Sequence, residues 1–177
     1  KSDIVSRYLP PHFLGEFPGG EVLSCSYSAD LSATFSKDAR GIVQSDSYKK
    51  LYPDTFLDIK NSASDNWKLH NSKGLTGSNK SSGLLSGING RGFELGILDD
   101  HTASRADAES QTIREKTWSA FNDDFLSRAA PVHIVFVIAT SWHNQDLNQK
   151  IRLSMKKDPD FPKFNIISLP AKAKDYT

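Results

Sequence analysis

Strands alternating with helices predict an α/β fold on a mostly parallel sheet. Three stretches carry this reading. Phe93 to Asp99 is an apolar strand that runs into two carboxylates, Asp99-Asp100. Val132 to Thr140 is a continuous apolar run, as expected of a parallel strand covered on both faces. Between them, Arg105 to Arg128 has helical spacing, with Ile113, Trp118, Phe121 and Phe125 facing inward. At 177 residues, one domain with one sizeable core is the expectation.

The elements follow in order. Ile4, Val5, Tyr8 and Leu9 share a helical face, and Pro10-Pro11 is expected to end that helix. Gly19-Gly20 turns the chain into a strand, Val22 to Ser26. A second helix, capped by Ser28 or Asp30, carries Leu31, Phe35, Ala39, Ile42 and Val43 at helical spacing. Tyr48 to Pro53 reads as a short helix or turn. Residues 54–92 are rich in Ser, Asn and Gly. They read as a flexible linker or, preferred here, as short strands with a functional loop, which Trp67-Lys68-Leu69 and Leu84-Leu85 could seat. Asp146 to Met155 looks helical. Asn165 to Leu169 is expected to be a final strand.

The formal charge of +1 neither demands nor forbids a nucleic-acid partner. Lys150, Arg152, Lys156, Lys157, Lys163, Lys172 and Lys174 form a basic run that reads as a solvated face. A single cysteine, Cys25, excludes an internal disulfide and a multi-Cys zinc site and suits a reducing compartment. No apolar run approaches the ~18 residues of a membrane span. The start carries no signal-peptide pattern. A cytoplasmic protein without a membrane partner is therefore expected.

In parallel sheets ligands gather beyond the carboxyl ends of the strands. Asp99-Asp100 falls at such an end. There Asp99 could hold magnesium, and Asp100 could orient and deprotonate an attacking water. A turn or helix cap is the alternative. Thr140-Ser141 ends the next strand, where a hydroxyl could sense an outer phosphate or cap a helix. Lys1-Ser2 leads into a helix as the last two residues of G-x-x-x-x-G-K-[ST] do. In that loop the Lys reaches the outer phosphates and the hydroxyl binds magnesium. His143 has no second His at ligand spacing, so a zinc role is not expected.

Together these pieces resemble the ATPase domain of tailed-phage terminase large subunits, the motors that pump DNA into procapsids. Lys1-Ser2-Asp3-Ile4-Val5-Ser6-Arg7-Tyr8-Leu9-Pro10 is similar to the end of that family's Walker A and its helix. Val22-Leu23-Ser24-Cys25-Ser26-Tyr27-Ser28-Ala29-Asp30-Leu31-Ser32 resembles the next strand and its helix start. Ser86-Gly87-Ile88-Asn89-Gly90-Arg91-Gly92 resembles the Gly-rich approach to Walker B, and Ile97-Leu98-Asp99-Asp100 resembles Walker B itself. Ala108-Glu109-Ser110 resembles the segment after it. Thr140-Ser141-Trp142-His143-Asn144-Gln145-Asp146-Leu147 resembles the coupling motif. Asn89 stands where Thr is common, Asp100 where many relatives have Glu, and Ser141 where Arg is usual.

The resemblance implies a P-loop NTPase fold with the first strand and the Gly-rich cradle missing. It makes residues 1–177 a single partial ATPase domain, a fragment of a longer reading frame that also lacks the family's C-terminal nuclease domain. It implies ATP and Mg2+ as cofactors. Lys1 and Ser2 would bind nucleotide, Ser2 and Asp99 would hold the metal, Asp100 would be catalytic, and Thr140 would couple hydrolysis to movement. Arg91 would act in trans on a neighbouring subunit's phosphate or lie on a surface turn. The implied partners are double-stranded DNA, a portal protein, a terminase small subunit and further copies in a ring at the procapsid portal in the bacterial cytoplasm. Without its cradle the chain is expected to be inactive alone. A helicase-like DNA translocase and a non-catalytic prophage remnant are the competing readings.

Overall fold

A computed structural model describes residues 1–88, 90 and 92–168. Among them the sheet has six strands: β1 (Glu21–Ser26), β2 (Thr55–Ser62), β3 (Asn66–Asn71), β4 (Thr76–Gly83), β5 (Phe93–Asp99) and β6 (Ala129–Ile138). Their order is β2-β3-β4-β1-β5-β6. The run β4-β1-β5-β6 is parallel, and β3 and β2 extend it as antiparallel neighbours. The helices are α1 (Leu9–Glu16), α2 (Ala29–Gln44), α3 (Asp46–Leu51), α4 (Arg105–Glu109), α5 (Gln111–Ser119) and α6 (Leu147–Lys157).

Side-chain alternation along the central strands divides the core in two. Val22, Leu95 and Ile97 pack with Leu14, Ala39, Val43, Trp67 and Leu69 on one face. Leu23, Cys25 and Leu98 pack with Phe121, Phe125, Leu147 and Ile151 on the other. Complete burial of side chains such as Trp67, Ile97 and Phe125 contributes roughly 1.5–3 kcal/mol for each large apolar group. The Ser/Asn/Gly-rich segment is not a linker: it forms β2, β3 and β4. Trp67 is fully buried, and its indole N–H donates to the carbonyl and hydroxyl of Ser36, each at 3.1 Å. Asn79 donates to the same hydroxyl at 2.9 Å. These bonds tie α2 to the small-residue strands, which would otherwise have little side chain to pack.

Several sequence expectations are corrected. Pro10-Pro11 does not end the first helix. A π-helical segment, Asp3–Tyr8, runs directly into α1, which places both prolines in its first turn. First-turn N–H groups need no intrahelical partner, so proline is tolerated there. The predicted long helix over Arg105 to Arg128 is divided. Ser104 caps α4, Ser110 caps α5, and a π turn (Ala120–Phe125) and a 3-10 turn (Leu126–Arg128) complete the stretch. Phe121 and Phe125 are buried as expected, whereas Ile113 and Trp118 are only partly covered. Residues 165–168 form no strand, and Leu169 lies outside the described residues.

The sharpest difference concerns β6. It is parallel to β5 as expected, but it is an edge strand rather than an interior one. Val132 is 85% exposed and Ile134 53%. An apolar run shows what a strand could bury; it does not show which neighbours are there to cover it.

Candidate functional site

β5 delivers the carboxylate pair. Its residues Leu95, Ile97 and Asp99 point to one face by alternation, the face on which the N-terminal helical segment lies. Asp99 is buried, 1% exposed. Ser2 Oγ donates to Asp99 Oδ1 at 3.1 Å, and Ser6 Oγ donates to Oδ2 at 2.5 Å. Two residues one helical turn apart thus grip a carboxylate more than ninety residues away in sequence. Arg7 secures this segment sideways. It pairs with Asp38 of α2 at 2.7 Å and with Asp3, and lies 5.0 Å over the ring of Phe35.

Asp100 has a left-handed backbone, φ +50°, the one non-glycine residue with positive φ among the described residues. Asp and Asn are among the side chains that adopt this conformation most readily. The backbone is held from both sides. Asp100 N–H donates to the Ile138 carbonyl of β6, and its carbonyl accepts from Tyr27 N–H just past β1, each at 2.8 Å. The carboxyl end of three parallel strands therefore converges on this residue. Burial, and then the neighbouring Asp99 charge, raise the Asp100 pKa above the ordinary carboxylate range, while Lys1 acts against them. Lys1 itself is exposed. Its charge is thus felt where the carboxylates cluster.

Thr140 is exposed two residues beyond Ile138, the register partner of Asp99. The segment after it is organised by Asp146, which is 3% exposed. Asp146 Oδ2 accepts from Ser141 Oγ at 2.6 Å, Trp142 N–H at 3.0 Å and His143 N–H at 3.4 Å, while Oδ1 accepts from Gln149 N–H at 3.1 Å. Asp146 is therefore both the cap of α6 and the anchor of the preceding loop. Ser141 is engaged in this anchor. His143 Nδ1 accepts from its neighbour Gln145 N–H at 3.0 Å. His101, next to Asp100, is buried. Burial lowers its pKa, and the Asp146 charge opposes that effect.

Of the sequence-nominated residues, Ser2, Asp99, Asp100 and Lys1 thus gather at one end of the sheet, and Thr140 follows two residues after β6 ends at the same side. Arg91 and Asn89 lie outside the described residues. Ser6 and Asp146 were missed as site residues. The signal for Ser6 was its spacing of four from Ser2; for Asp146 it was an acidic residue directly before a helical pattern. Cys25 offers no competing nucleophile, because burial pushes its thiol up to about 12.

The side-chain oxygens of Ser2 and Asp99 are hard donors, the kind that magnesium takes. Hard oxygen ligands from one or two protein groups suffice, because this ion keeps several waters and takes substrate phosphates. A buried carboxylate flanked by a hydroxyl supplies such a half-shell. No group of three or more His, Cys, Asp or Glu side chains suited to a metal occurs among the described residues. Nor is any helix among them long and apolar enough to cross a membrane. Fold and site define an α/β protein with a polar, acidic centre at the carboxyl end of a mostly parallel sheet. No known protein family's sequence profile matches the chain, and no curated protein is significantly similar to it.

Proposed function

We propose that this chain is the ATPase part of a terminase-like DNA-packaging motor, with its nucleotide site at the carboxyl ends of β5 and β6. The observation that carries the reading is the bond from Ser2 Oγ to Asp99 Oδ1 at 3.1 Å. The resemblance calls for a Walker A hydroxyl and a Walker B carboxylate to share one magnesium, and these two groups are already in contact. Magnesium, when bound, neutralises phosphate charge and fixes the nucleotide's outer oxygens. Asp99 and Ser2 would hold it. Asp100 orients the attacking water and accepts its proton, and its raised pKa favours that role. Lys1 contributes positive charge toward the phosphates. Thr140 reports the state of the site to the loop anchored by Asp146, and so to α6.

The open edge of β6 supports the same reading. A P-loop strand leading into Lys1 would run parallel to β6 and finish at the same end of the sheet. It would pair with the free main-chain edge of β6 and turn β6 into an interior strand. Double-stranded DNA, a portal, a small subunit and a ring of copies, with Arg91 reaching between them, belong to this proposal through the resemblance alone.

The test compares this chain with the same reading frame extended through its upstream codons, using phosphate release from ATP. The extended protein hydrolyses ATP in an Asp99-dependent manner, and the 177-residue chain does not. Turnover by the 177-residue chain well above its Asp99→Ala variant would contradict the proposal that hydrolysis needs a Gly-rich cradle ahead of Lys1. No turnover by the extended protein would favour a non-catalytic remnant.

A further inference from the structure

We propose that Ser6 is the positioning residue for Asp99, holding Oδ2 so that Oδ1 is presented to Ser2 and to a divalent cation. This inference rests on the reading of Asp99 as the metal-binding carboxylate.

The two hydroxyls on Asp99 are not equivalent. Ser6 is buried, 2% exposed, and its bond is the shorter, 2.5 Å against 3.1 Å. Ser2 is only partly covered. Ser2 is therefore the hydroxyl that can turn from the carboxylate toward an arriving cation. Ser6 is enclosed and keeps its oxygen whether or not a cation is present.

A buried carboxylate is costly unless its charge is compensated. Among the described residues Asp99 forms no ion pair with Lys, Arg or His. Two neutral donors satisfy its hydrogen-bonding capacity in part but leave its charge, which favours a cation as the third partner. The backbone around Ser6 is also unusual. Ser6 lies inside the π-helical segment, where Leu9 N–H reaches back to the Ile4 carbonyl. Such widened turns are rare and recur at functional sites. A serine within a helix commonly bonds to the preceding turn; Ser6 instead spends its proton on the sheet.

Partners that orient a metal ligand typically change metal affinity by about 10–100-fold when removed. The test is Mn2+ binding to the 177-residue chain, titrated by the loss of free-ion paramagnetic resonance, without nucleotide. Each variant is checked for folding by circular dichroism. Wild type binds Mn2+, Asp99→Asn abolishes binding, Ser6→Ala weakens it by about 10–100-fold, and Ser6→Thr, which keeps the hydroxyl, stays near wild type. If folded Ser6→Ala binds like wild type while Asp99→Asn does not bind, the positioning role is overturned and the Asp99 assignment stands. If wild type and Asp99→Asn behave alike, the metal assignment falls and takes this inference with it. Should Ser6→Ala not fold, Ser6→Cys, nearly isosteric with a weaker donor, decides by the same comparison.

Discussion

Asp100 shows how much one residue can be asked to do. Its carboxyl is pushed toward the neutral form by burial and by Asp99, yet its backbone demands a residue tolerant of positive φ. Asparagine meets the backbone demand and carries no charge. A carboxyl whose folded pKa is raised stabilises the fold below its unfolded value, about 3.9, and loses that contribution as pH rises through the folded value. Asp100→Asn should therefore be more stable than wild type at pH 7.5, and the gain should vanish as pH falls through the carboxylate range. Urea unfolding at pH 7.5 and near pH 4 measures this. An equal difference at both values would show that the Asp100 charge is not under strain. This residue and Asp99 were legible in the sequence as carboxylates ending an apolar strand. Their converging backbone bonds were not, because positive φ at a non-glycine residue leaves no mark in composition or periodicity.

Elements were legible where periodicity was long and unbroken, as in α2 and β5. They were misread where local chemistry overrode it. Pro10-Pro11 resembles a terminator, but the preceding π segment turns both prolines into first-turn residues. Ser110 interrupts an apparently continuous helix by accepting from Ile113 N–H and starting α5. In the Ser/Asn/Gly-rich region the strands are stabilised by main-chain pairing and by Trp67, so hydropathy gave little signal. Asp146 is the element-scale counterpart of Asp100, since it fixes both the start of α6 and the loop from Ser141 to His143. Asp146→Ala should cost about 2 kcal/mol, the sum of a lost cap and partly exposed donors left unpaired. It should also open residues 140–146 to proteolysis. Urea midpoints and limited digestion test this together. Unchanged stability with unchanged protection would show that the four accepted bonds do not secure the loop.

At the scale of the molecule, β6 presents an exposed apolar edge. Apolar edge strands are templates for pairing with other chains, and Val132 and Ile134 are largely open to solvent. The 177-residue chain should therefore associate as its concentration rises. Val132→Lys with Ile134→Lys should suppress that association in sedimentation or light scattering while changing unfolding free energy by less than about 1 kcal/mol. Association unaffected by the pair would direct attention to another surface. The proposal that Ser2, Asp99 and Asp100 share one nucleotide site calls for magnesium-dependent ATP binding and hydrolysis measured on the same variants of a protein extended upstream of Lys1. Asp100→Asn should bind ATP and fail to hydrolyse it. Asp99→Asn should lose magnesium-dependent binding as well, and Thr140→Ala should bind and retain partial hydrolysis. Normal hydrolysis by Asp100→Asn together with normal binding by Asp99→Asn would contradict the account and leave the paired carboxylates as structural caps.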